Sequence, residues 1–386
     1  MKAIGVRRRG VALDHERESS LVAEDRDRRR AIVGSPLEIE VVDEESGECL
    51  DVGSLQIEMV ELHETSADVR PLEIAGHTPW WRDKGSRMEW LGLTGTNLPF
   101  FDRVDGSISF ALMTERALVL AGGGVAGIAW LLGLVDTLRA EGVDITAPDL
   151  IIGTSAGACV GAQLATNQLA AAIALQDSDS EIYVDVDLQD FIAKAGELSK
   201  GAADEADLMR RFGKAALDAK TVTESERRAV VAARLPSHAW PEQPLRLTAI
   251  ETASGELVVF DRSSGVSLVD AVTASCAVPL VWPPTTIGAK RYLDGGTRSF
   301  SNADLAVGYR RVLIVIPTAP NPILEQKLAA ELERLGDVRT LVVKVDAESA
   351  ATIGPNPLDP SRRKPALDAG RRQGRTVAGD VRTFWT

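Results

Sequence analysis

The sequence predicts an α/β protein, a three-layer α/β/α sandwich around a largely parallel central sheet. Strand-like apolar runs alternate with helix-length segments from Met113 to the C-terminus, the order that crossover connections produce. A Gly-x-Ser-x-Gly pentad, Gly153–Gly157, stands between one such strand and an alanine-rich helix. Hydrophobic residues make up 45% of the 386, enough for a sizeable core.

The elements follow in order. Met113–Arg116 is a polar lead into a buried strand, Ala117–Ala121, which runs through Gly122-Gly123-Gly124 into a helix from Val125 to about Glu141. Strand Leu150–Ile152 leads into the pentad and a helix to about Leu175. Asp187–Arg234 is polar and helical, with one moderately apolar face. Strand Leu245–Glu251 pairs with Leu257–Asp261 across a Gly-containing turn. Helix Ser267–Ala274 precedes a strand that ends at Asp294. Strand Arg311–Pro317, helix Ile323–Leu335, strand Thr340–Val345 and a helix near Arg362–Phe384 close the chain. Ala117–Val135 is nineteen residues without a charge, long enough for a membrane span, but its five glycines break it into strand, loop and helix.

Composition changes near residue 113, giving two expected regions, 1–112 and 113–386. The first is charge-rich, holds His15, His63 and His77, and has strand-like runs at Leu37–Val42 and Leu55–Leu62. It is an accessory segment, or the working protein starts at Met113; the second reading is preferred, because the downstream part looks complete. The N-terminus has no apolar signal region. Cys49, Cys159 and Cys276 show neither disulfide nor metal spacing, which fits a reducing compartment. A cytoplasmic location is therefore expected. The net charge of −13 argues against nucleic-acid binding and against adhesion to anionic membranes by bulk charge.

The pentad points to chemistry. Its glycines allow a turn tight enough to expose Ser155 at the tip, at the head of a helix whose N–H groups favour an anion. A serine nucleophile needs a base. The one histidine after Ser155 is His238, in a Pro-bracketed loop, and reads as a surface residue. Asp294 is the better candidate, because Gly295 and Gly296 let the backbone bring its carboxylate to another loop. Gly122–Gly124 presents backbone N–H groups suited to an oxyanion. Gly122-x-Gly124-x-x-Gly127 also fits a dinucleotide loop, but Asp144 precedes the second strand instead of ending it. Nucleotide binding stays a lesser alternative.

Together these residues resemble the patatin-like phospholipases of bacterial type. Four blocks match in family order: Gly122–Gly124 with Gly127, Gly153–Gly157, Ala274-Ser275-Cys276-Ala277-Val278-Pro279, and Asp294-Gly295-Gly296. The likeness runs from about Thr114 to the C-terminus. It implies a patatin-like fold and a Ser155–Asp294 dyad acting through an acyl-enzyme, with Gly122, Gly123 and Gly124 as the oxyanion hole. It implies a lipid or acyl-ester substrate, transient peripheral membrane contact, and no metal or cofactor. Where the family often carries Arg or Lys, this chain has Ala126, which weakens the expectation of a charged headgroup. Asp187–Arg234 is a candidate cover, Trp130 and Trp282 are candidate acyl-channel residues, and a non-catalytic lipid-binding protein is the alternative function.

Overall fold

The computed structural model describes residues 114–386 apart from 179, 180 and 187, together with the backbone of short strands within 1–113. The chain divides into two compact units, Met1–Met113 and Thr114–Thr386. In the first, strands form at Ile39–Val42 and Ile57–Glu58, inside the runs expected at Leu37–Val42 and Leu55–Leu62. The other residues of those two runs lie outside the described residues.

The second unit is built on eight described strands: β1 (Thr114–Leu120), β2 (Leu150–Gly153), β3 (Leu245–Glu251), β4 (Leu257–Phe260), β5 (Thr285–Ile287), β6 (Lys290–Asp294), β7 (Tyr309–Ile316) and β8 (Arg339–Lys344). Their order is β5-β6-β3-β2-β1-β7-β8, with β4 paired to β3. β3, β2, β1, β7 and β8 run parallel, whereas β4 and β6 run antiparallel to β3, and β5 to β6.

Helices cover both faces. On one, Leu118 and Leu120 of β1 meet α1 (Gly124–Ala140), α2 (Ala156–Ala165), α3 (Leu169–Ala174), α6 (Glu224–Arg234), α7 (Leu268–Ser275) and the long α10 (Arg363–Trp385). On the other, Ala117 and Val119 meet α8 (Pro322–Leu335), and Ile250 and Leu293 meet Met209, Phe212 and Ala216 of α5 (Glu205–Asp218). Two further helices complete the set, α4 (Leu188–Ser199) before α5 and α9 (Ala347–Ile353) before α10.

The uncharged run 117–135 is thus strand, loop and buried helix. α1 is apolar nearly all round because α10 lies tightly over it: a Cβ on Gly370 would run into the Trp130 carbonyl, and one on Gly133 into that of Leu367. Among the described residues no helix is long and apolar enough to cross a membrane.

Some expectations change. The helix expected to run from the pentad to Leu175 breaks at Asn167, whose φ of 56° ends α2. The candidate cover 187–234 is three helices. The apolar stripe of α5 packs on the sheet, and α6 buries Val231 on the opposite face. The β5–β6 hairpin and α9 add to the elements read from the sequence.

Candidate active site

β1 and β2 end side by side, with Leu120 opposite Gly153. Both then turn into helices, so the Gly122–Gly124 loop and Ser155 stand together at the carboxyl end of the sheet, where open α/β sheets place their sites. Gly127 packs behind the loop: a Cβ there would lie 3.7 Å from that of Ala156. The elbow is tied to β1 by Thr154 N–H to the Leu120 carbonyl at 3.0 Å and Gly157 N–H to that of Ala121 at 3.1 Å. A Cβ on Gly157 would fall onto the Leu120 carbonyl, so this crossing admits only glycine. Ser155 has φ 54° and ψ −113°, a strained conformation for a residue with a side chain. Two residues of the Ala274–Pro279 segment hold it there: Ser155 N–H donates to Ser275 Oγ at 3.0 Å, and Cys276 Sγ donates to the Ser155 carbonyl at 3.3 Å.

Asp294 arrives by a different route. Leu247 of β3 pairs with Gly153 of β2 on one edge and Phe260 of β4 on the other. Ala249 pairs with Asp294 of β6 and again with β4. β2 and β6 therefore share one edge of β3 and meet end to end. Because β2 runs parallel to β3 and β6 antiparallel, both carboxyl ends point into the same gap. Their partners on β3 are two residues apart, about 7 Å. The Asp294 carboxylate there feels the Ser155 hydroxyl, which holds its pKa down, and it accepts the Gly296 N–H at 2.7 Å. Gly295 lies so close to β3 that a Cβ would strike Thr248.

Ser155 is 8% exposed and Asp294 3%. Burial pushes the Asp294 carboxyl up to about 7 against the bonds from Ser155 and Gly296 and the charge of Arg227. A carboxylate so raised takes up a proton readily near neutral pH.

A buried amide, Asn302, knits the parts together. Its Nδ2 donates to Thr154 Oγ1 at 3.1 Å, the Gly295 carbonyl at 3.3 Å and the Ser299 carbonyl at 2.7 Å. Its Oδ1 accepts from Arg298 at 2.8 Å. Thr154 and Thr248 are bonded at 2.8 Å. One side chain thus spans the elbow, β3 and the Asp294 turn. Sequence reasoning missed Asn302 and the role of Ser275. Ser275 lay inside a block already singled out, whereas nothing around Asn302 marks it before folding.

The oxyanion candidates need one correction. Gly122 N–H donates to the Phe300 carbonyl at 2.8 Å and is not free for a ligand. The N–H groups of Gly123, Gly124 and Ala156 donate to no acceptor among the described residues, as expected at helix starts. Ala126 is fully buried and faces the core. His238 is exposed, its Nε2 3.0 Å from the Ala232 carbonyl, in a loop before β3 and so away from the strand's carboxyl end. Trp130 and Trp282 are core residues, the latter stacked under the Arg227 guanidinium at 3.9 Å. Among the described residues no group of three or more His, Cys, Asp or Glu side chains is placed to hold a metal.

A family model described as patatin-like phospholipase matches residues 118–307, which hold every part of this site. Residues 118–307 belong to the patatin-like phospholipase family. The chain is also similar to two solved structures. One match, to the chain as a whole and not to the patatin-like unit alone, is VipD from Legionella pneumophila, with TM-score 0.35 and 14% identity over 74% of this chain and 70% of that one. The other is the type III effector ExoU, with TM-score 0.34 and 18% identity over 73% of this chain; the match spans only 57% of ExoU's length. No curated protein matches the chain.

Proposed function

We propose that this protein is a serine lipid acyl hydrolase in which Ser155 and Asp294 form the catalytic dyad. The observation that carries the reading is the meeting of the Ser155 turn with the buried Asp294 carboxyl on one edge of β3, where that carboxyl is raised to about 7. The Ser155 hydroxyl attacks an ester carbonyl while its proton passes to Asp294. The oxyanion is received by the free N–H groups of Gly123, Gly124 and Ala156. As the intermediate collapses, Asp294 returns the proton to the departing alcohol, leaving an acyl-enzyme. Water, activated by the same carboxylate, then releases the fatty acid.

The substrate is read as a lipid ester that reaches the site from a membrane contacted peripherally. The described residues offer no cation at position 126, so selection by acyl chain is expected to outweigh selection by headgroup. Residues 1–113 are read as accessory to the chemistry.

Hydrolysis of p-nitrophenyl esters across acyl lengths tests the reading, in wild type, in Asp294→Asn and in a chain starting at Met113. Turnover in the first and third with loss in the second is the expected result. A folded wild type that turns over no ester and takes up no serine-directed phosphonate would refute it and favour lipid binding without catalysis.

A further inference from the structure

Beneath the nucleophile lies a cluster of reactive groups that ester chemistry does not use. Cys159 on α2 and Cys276 at the end of α7 are both buried, with their Sγ atoms 3.8 Å apart. Both touch the same atom. Cys276 Sγ donates to the Ser155 carbonyl at 3.3 Å, and the Cys159 N–H reaches that carbonyl at 3.2 Å. The neighbour of Cys276, Ser275, takes the Ser155 N–H. Both main-chain polar groups of the nucleophile are therefore held by the segment that carries one of the two thiols.

Arg227 of α6 completes the cluster. It is 3% exposed, and its Nε and Nη1 have no hydrogen-bond partner. The Trp282 ring is stacked on its guanidinium, but two buried N–H groups without acceptors are costly and favour a nearby anion. Glu181 is already engaged, since both its oxygens are held by Arg234, at 2.7 and 2.5 Å. Asp294 feels Arg227, but as the weakest of the influences on it. The two thiols both act on Arg227. The contact between the two sulfurs and the charges of Arg234 and Arg227 lower Cys159, while the contact with Cys159 and burial raise Cys276. A cavity of about 10 Å³, room for one water-sized molecule, is bounded by Arg234 and by Gln163, one helical turn along α2 from Cys159.

We propose that Cys159 and Cys276 are an oxidisable dithiol whose disulfide switches Ser155 off, with a hydroperoxide as the oxidant. The Cys159 thiolate attacks the peroxide, the O–O bond breaks, and the departing oxygen leaves as water or an alcohol after taking a proton. Cys159 is then a sulfenic acid. Cys276 attacks its sulfur and expels the hydroxyl as water, forming the S–S bond. The dithiol loses two electrons and the peroxide gains two. Closing the sulfurs from 3.8 Å to the roughly 2.05 Å of a disulfide draws the end of α7 off the Ser155 main chain. A misplacement of that order costs about 100-fold in rate.

The consequence for activity rests on the hydrolase reading; the thiol chemistry does not. The whole chain is treated with hydrogen peroxide, its remaining thiols are alkylated, and digested peptides are weighed beside an ester assay. The expected result is a linked Cys159–Cys276 peptide pair, two hydrogens lighter than the separate peptides. Ester turnover should fall about 100-fold and return with dithiothreitol. Cys159→Ala and Cys159→Ser should keep the turnover of the reduced wild type and lose the response to peroxide. Absence of the linked pair, linkage with unchanged turnover, or inactivation that persists in both variants and maps to Cys49 would each overturn the proposal. Reduced protein without ester turnover strikes the hydrolase reading instead, because the linked pair is detected by mass whether or not an ester is cleaved.

Discussion

Ser155 and Asp294 face the same gap in the sheet but are held in opposite ways. The serine is fixed by main chain: a strained φ, the Leu120 and Ala121 carbonyls that anchor the elbow, and bonds on both of its own backbone groups. The aspartate is fixed by a turn packed on Thr248 and tied by Asn302, and its chemistry is set by burial. Position is thus set by main-chain bonds around the elbow, whereas basicity is a property of the interior. Each partner can be disturbed in its own way.

The largest effect comes from the serine side. Ser155→Ala should lower kcat/KM by about 10⁴-fold or more while the circular dichroism spectrum keeps its shape. Residual turnover within tenfold of wild type would show that another residue attacks. Asp294→Asn should lower kcat by about 10³-fold and yet stabilise the protein. The carboxyl stands near 7 when folded against an ordinary 3.8. Between those values the folded chain keeps a proton that the unfolded chain has released. Stability therefore falls as pH rises through this window and stays reduced above it. Asparagine carries no such charge, so at pH 8 the variant should be more stable than wild type by on the order of 1–3 kcal/mol. A lower melting temperature than wild type at pH 8 would contradict burial as the cause of the shift.

The same carboxyl predicts the pH profile. kcat/KM should rise as Asp294 loses its proton, with the half-way point near 7. A profile flat between pH 5 and 8 would separate the rate from this group. Asn302→Leu should then sharpen the contrast, because it strikes the shared support. Thr154, the Gly295 and Ser299 carbonyls, and Arg298 each lose a bond, and denaturant unfolding should show a loss of about 1–3 kcal/mol. Ser275→Ala is the smallest change. It removes one acceptor from the Ser155 N–H, worth about 1 kcal/mol, so kcat should drop several-fold with no movement of the pH midpoint. A moved midpoint would mean that the two halves of the site are not held separately.

Much of this was legible before folding, for identifiable reasons. The elbow and the glycine loop are local: a strand, a tight turn and a helix start within a few residues. β7, α8, β8 and α10 followed equally from periodicity, with ends shifted by a residue or two, whereas the short α9 did not. Asn167 was hidden because a left-handed residue inside an alanine-rich run leaves the composition helical. The Gly122 N–H was misassigned because its acceptor, the Phe300 carbonyl, lies 178 residues away. The apolar face of α5 resembled a cover until it had a sheet to pack on.

The amino-acid sequence by itself determined the α/β class, the turn that carries Ser155 between strand and helix, and the family blocks that marked Asp294, because each depends on residues close together in the chain. Only the tertiary structure decided how Ser155 and Asp294 come together. β2 and β6 meet on one edge of β3, Asn302 braces the junction, and the surrounding interior raises the Asp294 carboxyl. It alone also set two distant thiols under the nucleophile. These are relations between segments more than a hundred residues apart, and they exist only once the sheet has assembled and excluded water.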